Sequence, residues 1–145
     1  MKREKSKLWQ CPTCGRRFAN RNQTHFCSDV TLASHFKNKP PESRRLFNAF
    51  LAAARAHGSV KVLPEKTRIA LQVRMSFAAL MPRRGYLRGH LVLASRCPNP
   101  CFLKIETISQ RNHVHHFELR DASQLEGDFA TFLAAAYRVG NQDHL

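Results

Sequence analysis

Ile69-Ala70-Leu71-Gln72-Val73-Arg74-Met75-Ser76-Phe77-Ala78-Ala79-Leu80-Met81 is the stretch that decides the fold. Ile69, Leu71, Val73, Met75, Phe77, Ala79 and Met81 recur at every second position, with Ala70, Gln72, Arg74 and Ser76 between them. That is the period of half-buried β-structure and not of a helix. The stretch predicts one or two strands whose apolar residues, Ile69 to Phe77, meet the core, while Arg68, Gln72 and Arg74 lie on the opposite side.

Downstream, Pro82 to Gly85 reads as a turn, and strands are predicted over residues 86–94, 102–108 and 113–120. They follow one another without intervening helices, so the sheet is expected to be an antiparallel meander. After Arg120, Asp121 with Gln124 or Ser123 with Glu126 offers a capping box. Leu125, Phe129, Phe132, Leu133, Ala136 and Tyr137 then make the buried stripe of a closing helix that Gly140 ends.

Upstream, Pro40 and Pro41 suit the opening of a helix over about residues 41–57, with Leu46, Phe47, Phe50, Leu51 and Ala54 on one stripe and Gly58 beyond its end. A short helix capped by Asp29 or Thr31, with Leu32, His35 and Phe36 inward, fits the segment before it. The expected fold class is α+β: an antiparallel sheet of four or five strands packed with helices and preceded by a small zinc knuckle. The expected divisions are a knuckle over 1–28, a linker or short helix over 29–39, the α+β domain over 40–140 and a tail over 141–145.

The knuckle rests on Cys11-Pro12-Thr13-Cys14-Gly15, a tight turn that brings two thiolates to one ion. His25 and Cys27 follow and complete a set of three sulfurs and one imidazole nitrogen, a composition common in closed structural zinc sites. His35 in place of His25 is the alternative. The second pair is separated by one residue, so it cannot share a helix face, and no ordinary recognition helix fits the loop. Four protein ligands leave no open position for water, so the expected zinc supports the fold and does not catalyse.

The chain carries 24 Lys plus Arg against 10 Asp plus Glu, for a formal charge of +14. Residues 1–28 hold seven basic and one acidic residue, 29–57 five and two, 58–111 ten and two, and 112–145 two and five. Such an excess draws in polyanions, nucleic acid above all, with an acidic protein as the other partner to weigh. Lys7, Arg16, Arg17 and Arg21 near the cysteines, and Arg68, Arg74 and Arg88 on the sheet, are the expected phosphate contacts. No apolar run follows the basic N-terminus before Cys11, and no stretch is long enough to span a bilayer. The expectation is a cytoplasmic protein without a membrane partner.

The histidines suggest a second kind of site. His113 and His115 share one strand face with His116 on the other, and His90 lies on a neighbouring strand. His90, Lys104, Glu106, His113 and His115 are the expected polar cluster, which would bind phosphate or a second metal, or move protons, in a small-molecule or phosphate-processing enzyme. A metal-dependent nuclease is poorly matched, because residues 58–111 contain only Glu65 and Glu106 as carboxylates. Cys97-Pro98-Asn99-Pro100-Cys101 reads as a stiff turn between strands.

Residues 66–70, Met75-Ser76-Phe77, Leu91-Val92-Leu93, His115-His116-Phe117 and Ala136-Tyr137 carry a resemblance to an uncharacterised bacterial domain family of unknown function, whose members often have a short cysteine knuckle ahead of the domain. More distantly, the chain is similar to small bacterial proteins described as iron-chaperone-like. The resemblance implies a compact α+β domain and brings no established activity.

Overall fold

The computed structural model describes residues 7–22 and 30–144. The first piece is a hairpin of two very short strands, β1 (Trp9–Gln10) and β2 (Arg17–Phe18), joined through the Cys11 to Gly15 turn. A 3₁₀ turn at Ala33–Phe36 follows; its N-cap is Leu32, without a side-chain cap, and Thr31, the expected cap, stands one position earlier, where its Oγ1 accepts the Ser34 N–H at 3.2 Å. Asp29, the other expected cap, lies outside the described residues.

Helix α1 (Pro41–Arg55) begins with a proline in its first turn and buries Leu46, Phe47, Phe50 and Ala54 of the expected stripe together with Ser43, while Leu51 is half-buried. Its length stops short of Gly58, whose φ of +146° suits glycine alone. A Cβ there would stand 2.2 Å from Tyr137 Oη, and that hydroxyl donates to Ser59 O at 3.0 Å. Glycine is therefore required by the close approach of Tyr137 as well as by the turn.

Six strands follow: β3 (Lys61–Pro64), β4 (Ile69–Gln72), β5 (Ser76–Pro82), β6 (Leu87–Leu93), β7 (Lys104–Ser109) and β8 (Asn112–Leu119). They form one antiparallel sheet in the order β3-β4-β5-β6-β8-β7. Two expectations change here. The sheet has six strands and not four or five, because β3 is a four-residue edge strand ending in proline, too short to show a period and tolerable only at an edge. Nor is it a plain meander, since β8 lies between β6 and β7. β7 is mostly exposed and rich in Lys, Glu, Thr and Ser, as an edge requires, whereas β8 alternates buried and half-buried residues.

The deciding stretch splits at residues 73–75 into β4 and β5. Ile69, Leu71 and Phe77 are fully buried as expected, while Val73 and Met75 sit half-buried in the turn. The register shifts where Leu71 pairs with Ala78 and Gln72 with Ser76, leaving Phe77 as the extra residue of a β-bulge. The bulge lets both Phe77 and Ala78 join the core. Gln72, expected on the open side, is fully buried with neither amide atom hydrogen-bonded.

The closing helix starts later than the capping boxes suggest. Asp121 and Gln124 do form the box, but it closes a 3₁₀ turn at Ala122–Leu125. Gly127, with φ +64°, then leads into α2 (Asp128–Gly140). Both long helices cover one face of the sheet. There Phe50 stacks on Phe117 at 5.7 Å between centroids, and Phe129 meets Phe117 edge-on at 4.9 Å. The end of α2 is tied to the sheet because Gly140 O accepts the N–H groups of Arg74 and Met75, each at 3.0 Å.

The N-terminal hairpin packs on the opposite face. Cys11 and Phe18 share a small buried cluster with Leu63 and Ala70, and Arg16 donates to Pro64 O at 3.3 Å. The separate core expected for residues 40 onward is thus joined to the hairpin through β3 and β4.

Candidate functional site

Strand parity sorts the chemistry-bearing side chains between the two faces. On β6, Leu87, Leu91 and Leu93 point to the helices, which sends Arg88, His90 and Val92 the other way. On β8, Phe117 and Leu119 are buried under the helices together with His113 and His115. His116 and Glu118 therefore share the helix-free face with His90 and Arg88, and the register pairs His90 with His116 and Arg88 with Glu118. From β7, Lys104 pairs with His116 and Glu106 with Val114, so both join that face.

The expected cluster divides accordingly. His90, Lys104 and Glu106 come together, and the histidine that completes them is His116. His116 Nε2 contacts Glu106 Oε1 at 2.5 Å, and the His90 and His116 rings meet edge-on at 5.7 Å. Burial first, then the charges of Arg68 and His116, push the His90 imidazole down to about 4. The hydrogen bond from His116, followed by the charge of Lys104, holds the Glu106 carboxyl below the usual range. The helix-free face thus carries a neutral imidazole beside a carboxylate–imidazole pair.

His113 and His115 do not belong to this cluster. His115 is fully buried, its Nε2 accepting the Cys97 N–H at 3.0 Å and its Nδ1 lying 2.8 Å from His113 O. Phe102 packs edge-on against its ring at 4.8 Å, and burial pushes its pKa down. His113 bonds to Thr107 Oγ1 and Gln110 O, each at 3.0 Å. Both histidines hold the long crossing from β6 to β7 and the β7–β8 turn in place. The sequence carried a signal for this: His113 and His115 are in phase with Phe117 and Leu119, and His116 is not.

The expected basic contacts are also redistributed. Arg68 binds Glu65 at 2.9 Å, Arg88 lies 3.9 Å from Glu118, and Lys104 lies 3.8 Å from Glu106. Each of these three cations lies within 4 Å of a carboxylate. Arg74 donates to Gln142 Oε1 at 2.8 Å by the end of α2, away from the cluster. On the hairpin, Lys7, Arg17 and Arg21 are exposed, whereas Arg16 is half-buried against Pro64. Residues 7–22 contain no acidic side chain.

Of the four expected zinc ligands, Cys11 and Cys14 lie on the hairpin turn, where Gly15 N–H donates to Cys11 O at 2.9 Å and Cys11 N–H to Arg16 O at 2.8 Å. Gly15 takes the φ of +74° that this turn demands. His25 and Cys27 lie outside the described residues. Among the described residues, no three His, Cys, Asp or Glu side chains converge as a metal site would require, so His35 does not complete one with the two cysteines.

Cys97 to Cys101 is a turn, as its prolines suggest: Asn99 O accepts the Phe102 N–H and Asn99 Oδ1 the Cys101 N–H, each at 2.9 Å. Asn99 Nδ2 reaches Asp128 Oδ2 at 3.1 Å, fastening the turn to the start of α2.

Residues 32–140 match the family described as Domain of unknown function (DUF5655). The chain belongs to this family. The DUF5655 match begins in the residues leading into the first 3₁₀ turn and ends with the last residue of α2, so it takes in the whole six-stranded sheet and leaves the cysteine hairpin outside. Comparison with curated proteins and with solved structures finds no match. No helix among the described residues is long and apolar enough to cross a membrane.

Proposed function

We propose that the protein is a zinc-containing basic binding protein of the cytoplasm that associates with nucleic acid through phosphate contacts, with weak sequence selectivity. The observation that carries this reading is the imbalance of the hairpin. Lys7, Arg17 and Arg21 are exposed on a segment, residues 7–22, without any carboxylate, while Arg68, Arg88 and Lys104 of the sheet each lie within 4 Å of one. Uncompensated surface cations displace condensed counterions from phosphate, and matched ones contribute little. No recognition helix stands on the hairpin, so backbone contact and not base reading is the mode it supports.

Zinc in this reading is held by Cys11, Cys14, His25 and Cys27. Two thiolates on one tight, hydrogen-bonded turn suit a structural ion, whose work is to keep the hairpin folded and its arginines presented. Purified protein is expected to hold one zinc per chain by elemental analysis and to retard single- and double-stranded oligonucleotides at low salt. Chelation is expected to weaken that retardation. Metal-free protein with unchanged binding would remove zinc from the account, and absence of binding would remove nucleic acid.

The phosphate-processing reading draws on a different observation, the Glu106–His116 contact beside His90. It retains His90, Lys104 and Glu106 and loses His113 and His115 to the core. An adaptor for an acidic protein would use the same hairpin cations, and competition by an acidic polypeptide against the oligonucleotide separates the two partners.

A further inference from the structure

Beside the Glu106–His116 pair, the helix-free face is hollowed into an open groove of about 340 Å³. Its charged lining is Arg83, Arg88, Lys104 and Glu106, three cations against one carboxylate. Glu106 is already engaged, with His116 at 2.5 Å and Lys104 at 3.8 Å, so its charge is not presented alone to a ligand. Arg88 stays 3.9 Å from Glu118 Oε1, longer than a hydrogen bond, while Arg120 takes the other oxygen of that carboxylate at 3.1 Å. The guanidinium of Arg88 and the ammonium of Lys104 therefore both have donors to offer a ligand.

The remaining walls are Met81, Gly89, Leu103 and the His116 ring. Met81 is half-buried beside Arg88, and Leu103 is 64% exposed at the mouth, one of two large hydrophobic side chains so exposed among the described residues. A half-buried methionine and an exposed leucine beside cationic groups in one groove suit a ligand with an anionic end and an apolar or flat end. The lining holds three cations and one carboxylate, with Glu118 outside it 3.9 Å from Arg88, which leaves it short of one to two negative charges. A phosphomonoester supplies about two at neutral pH, together with three acceptor oxygens that match a planar guanidinium fork. The volume is at the low end of the roughly 300 to 1,000 Å³ of small-molecule sites, the size of one nucleotide and not of a cofactor with two.

We propose that this groove binds a phosphomonoester bearing a flat or apolar group, with the phosphate between Arg88, Lys104 and Arg83 and the other end against Met81 and Leu103. The ligand comes either free, as a mononucleotide, or as the 5′-phosphorylated end of a strand. The proposal is independent of the nucleic-acid reading, which rests on the hairpin.

The test is calorimetric titration of the full chain with adenosine monophosphate, adenosine and inorganic phosphate. Adenosine monophosphate is expected to bind, and adenosine to bind at least about tenfold more weakly, the loss that charge-assisted hydrogen bonds carry. The double variant Arg88→Ala with Lys104→Ala is expected to lose about tenfold or more. Two control pairs, Arg44→Ala with Arg45→Ala on α1 and Arg17→Ala with Arg21→Ala on the hairpin, are expected to keep full affinity. Thermal melting of each variant separates a lost site from a lost fold. Equal binding of adenosine and its monophosphate, an unchanged groove variant that remains folded, or an equal loss in either control pair would overturn the proposal. A 5′-phosphorylated dinucleotide binding more tightly than the mononucleotide assigns the source to strand ends, and the reverse assigns it to free nucleotide; either order supports the site. Because the hairpin pair leaves this binding intact, failure here and failure of the nucleic-acid reading give different results.

Discussion

One sheet presents two unlike faces. Beneath the helices, β8 contributes His113, His115, Phe117 and Leu119, and even its histidines are enclosed and hydrogen-bonded. One residue out of phase, the same strand contributes His116 and Glu118 to a face crossed by ion pairs, with the cysteine hairpin seated at its β3–β4 end. The difference teaches that the histidine count of this chain is a poor guide to its chemistry. A one-residue change of phase separates an imidazole that positions a crossing loop from one that is paired to a carboxylate beside a groove.

The helix-covered face is where the largest loss is expected. Phe117→Ala removes the ring that Phe50 and Phe129 both pack against, and about 3 to 5 kcal/mol of stability should go with it. Chemical denaturation measures this. A loss below about 1 kcal/mol would mean that the two helices do not form the main core.

On the other face, His90 should make stability depend on pH. Its folded imidazole stays neutral down to about 4 against an ordinary value of 6.5, so the unfolded chain binds the extra proton across that window. Stability from this group is therefore present above 6.5 and lost as pH falls toward 4, on the order of 3 kcal/mol in all. His90→Gln should flatten the stability curve between those limits. An unchanged slope would place His90 in contact with water.

The seating of the hairpin gives a smaller effect. Leu63→Ala should cost about 2 kcal/mol by opening the cluster that Cys11, Phe18 and Ala70 share with it. Trp9, the single tryptophan, packs against that cluster, so its emission should move to the red. Emission identical to that of the parent would show that the hairpin does not depend on β3.

Much of this contrast was legible in the sequence. The alternation at Ile69 and Leu71, most of both helix stripes and the Asp121–Gln124 pairing agree with the structure because each is a local pattern, although the alternation stops at the turn over 73–75 and the box closes a 3₁₀ turn ahead of α2. What escaped was non-local. Strand β3 is too short to show a period, and the placing of β8 between β6 and β7 depends on which strand tolerates an edge. The bulge at Phe77 breaks phase inside an otherwise regular run. The polar cluster was half legible: His90, Lys104 and Glu106 were in hand, but the choice of His113 and His115 over His116 ignored that Phe117 and Leu119 fix which phase is buried. The pairing of Arg88 with Glu118 depends on the cross-strand register and cannot be read from charge counts, whereas Glu65–Arg68 and Lys104–Glu106 are local in sequence.

The central claim, that contact along the nucleic-acid backbone belongs to the hairpin and not to the ion-paired cations of the sheet, is tested most directly by oligonucleotide affinity as a function of salt. Parent protein, the pair Arg17→Ala with Arg21→Ala, and the pair Arg68→Ala with Arg88→Ala should be titrated with one labelled duplex lacking 5′-phosphates across low to moderate salt. Each lost phosphate contact lowers the slope of log affinity against log salt by about one. The account predicts a slope reduced by about two for the hairpin pair and unchanged for the sheet pair. A hairpin pair that keeps the parent slope, or no binding by the parent at low salt despite its charge of +14, would contradict it.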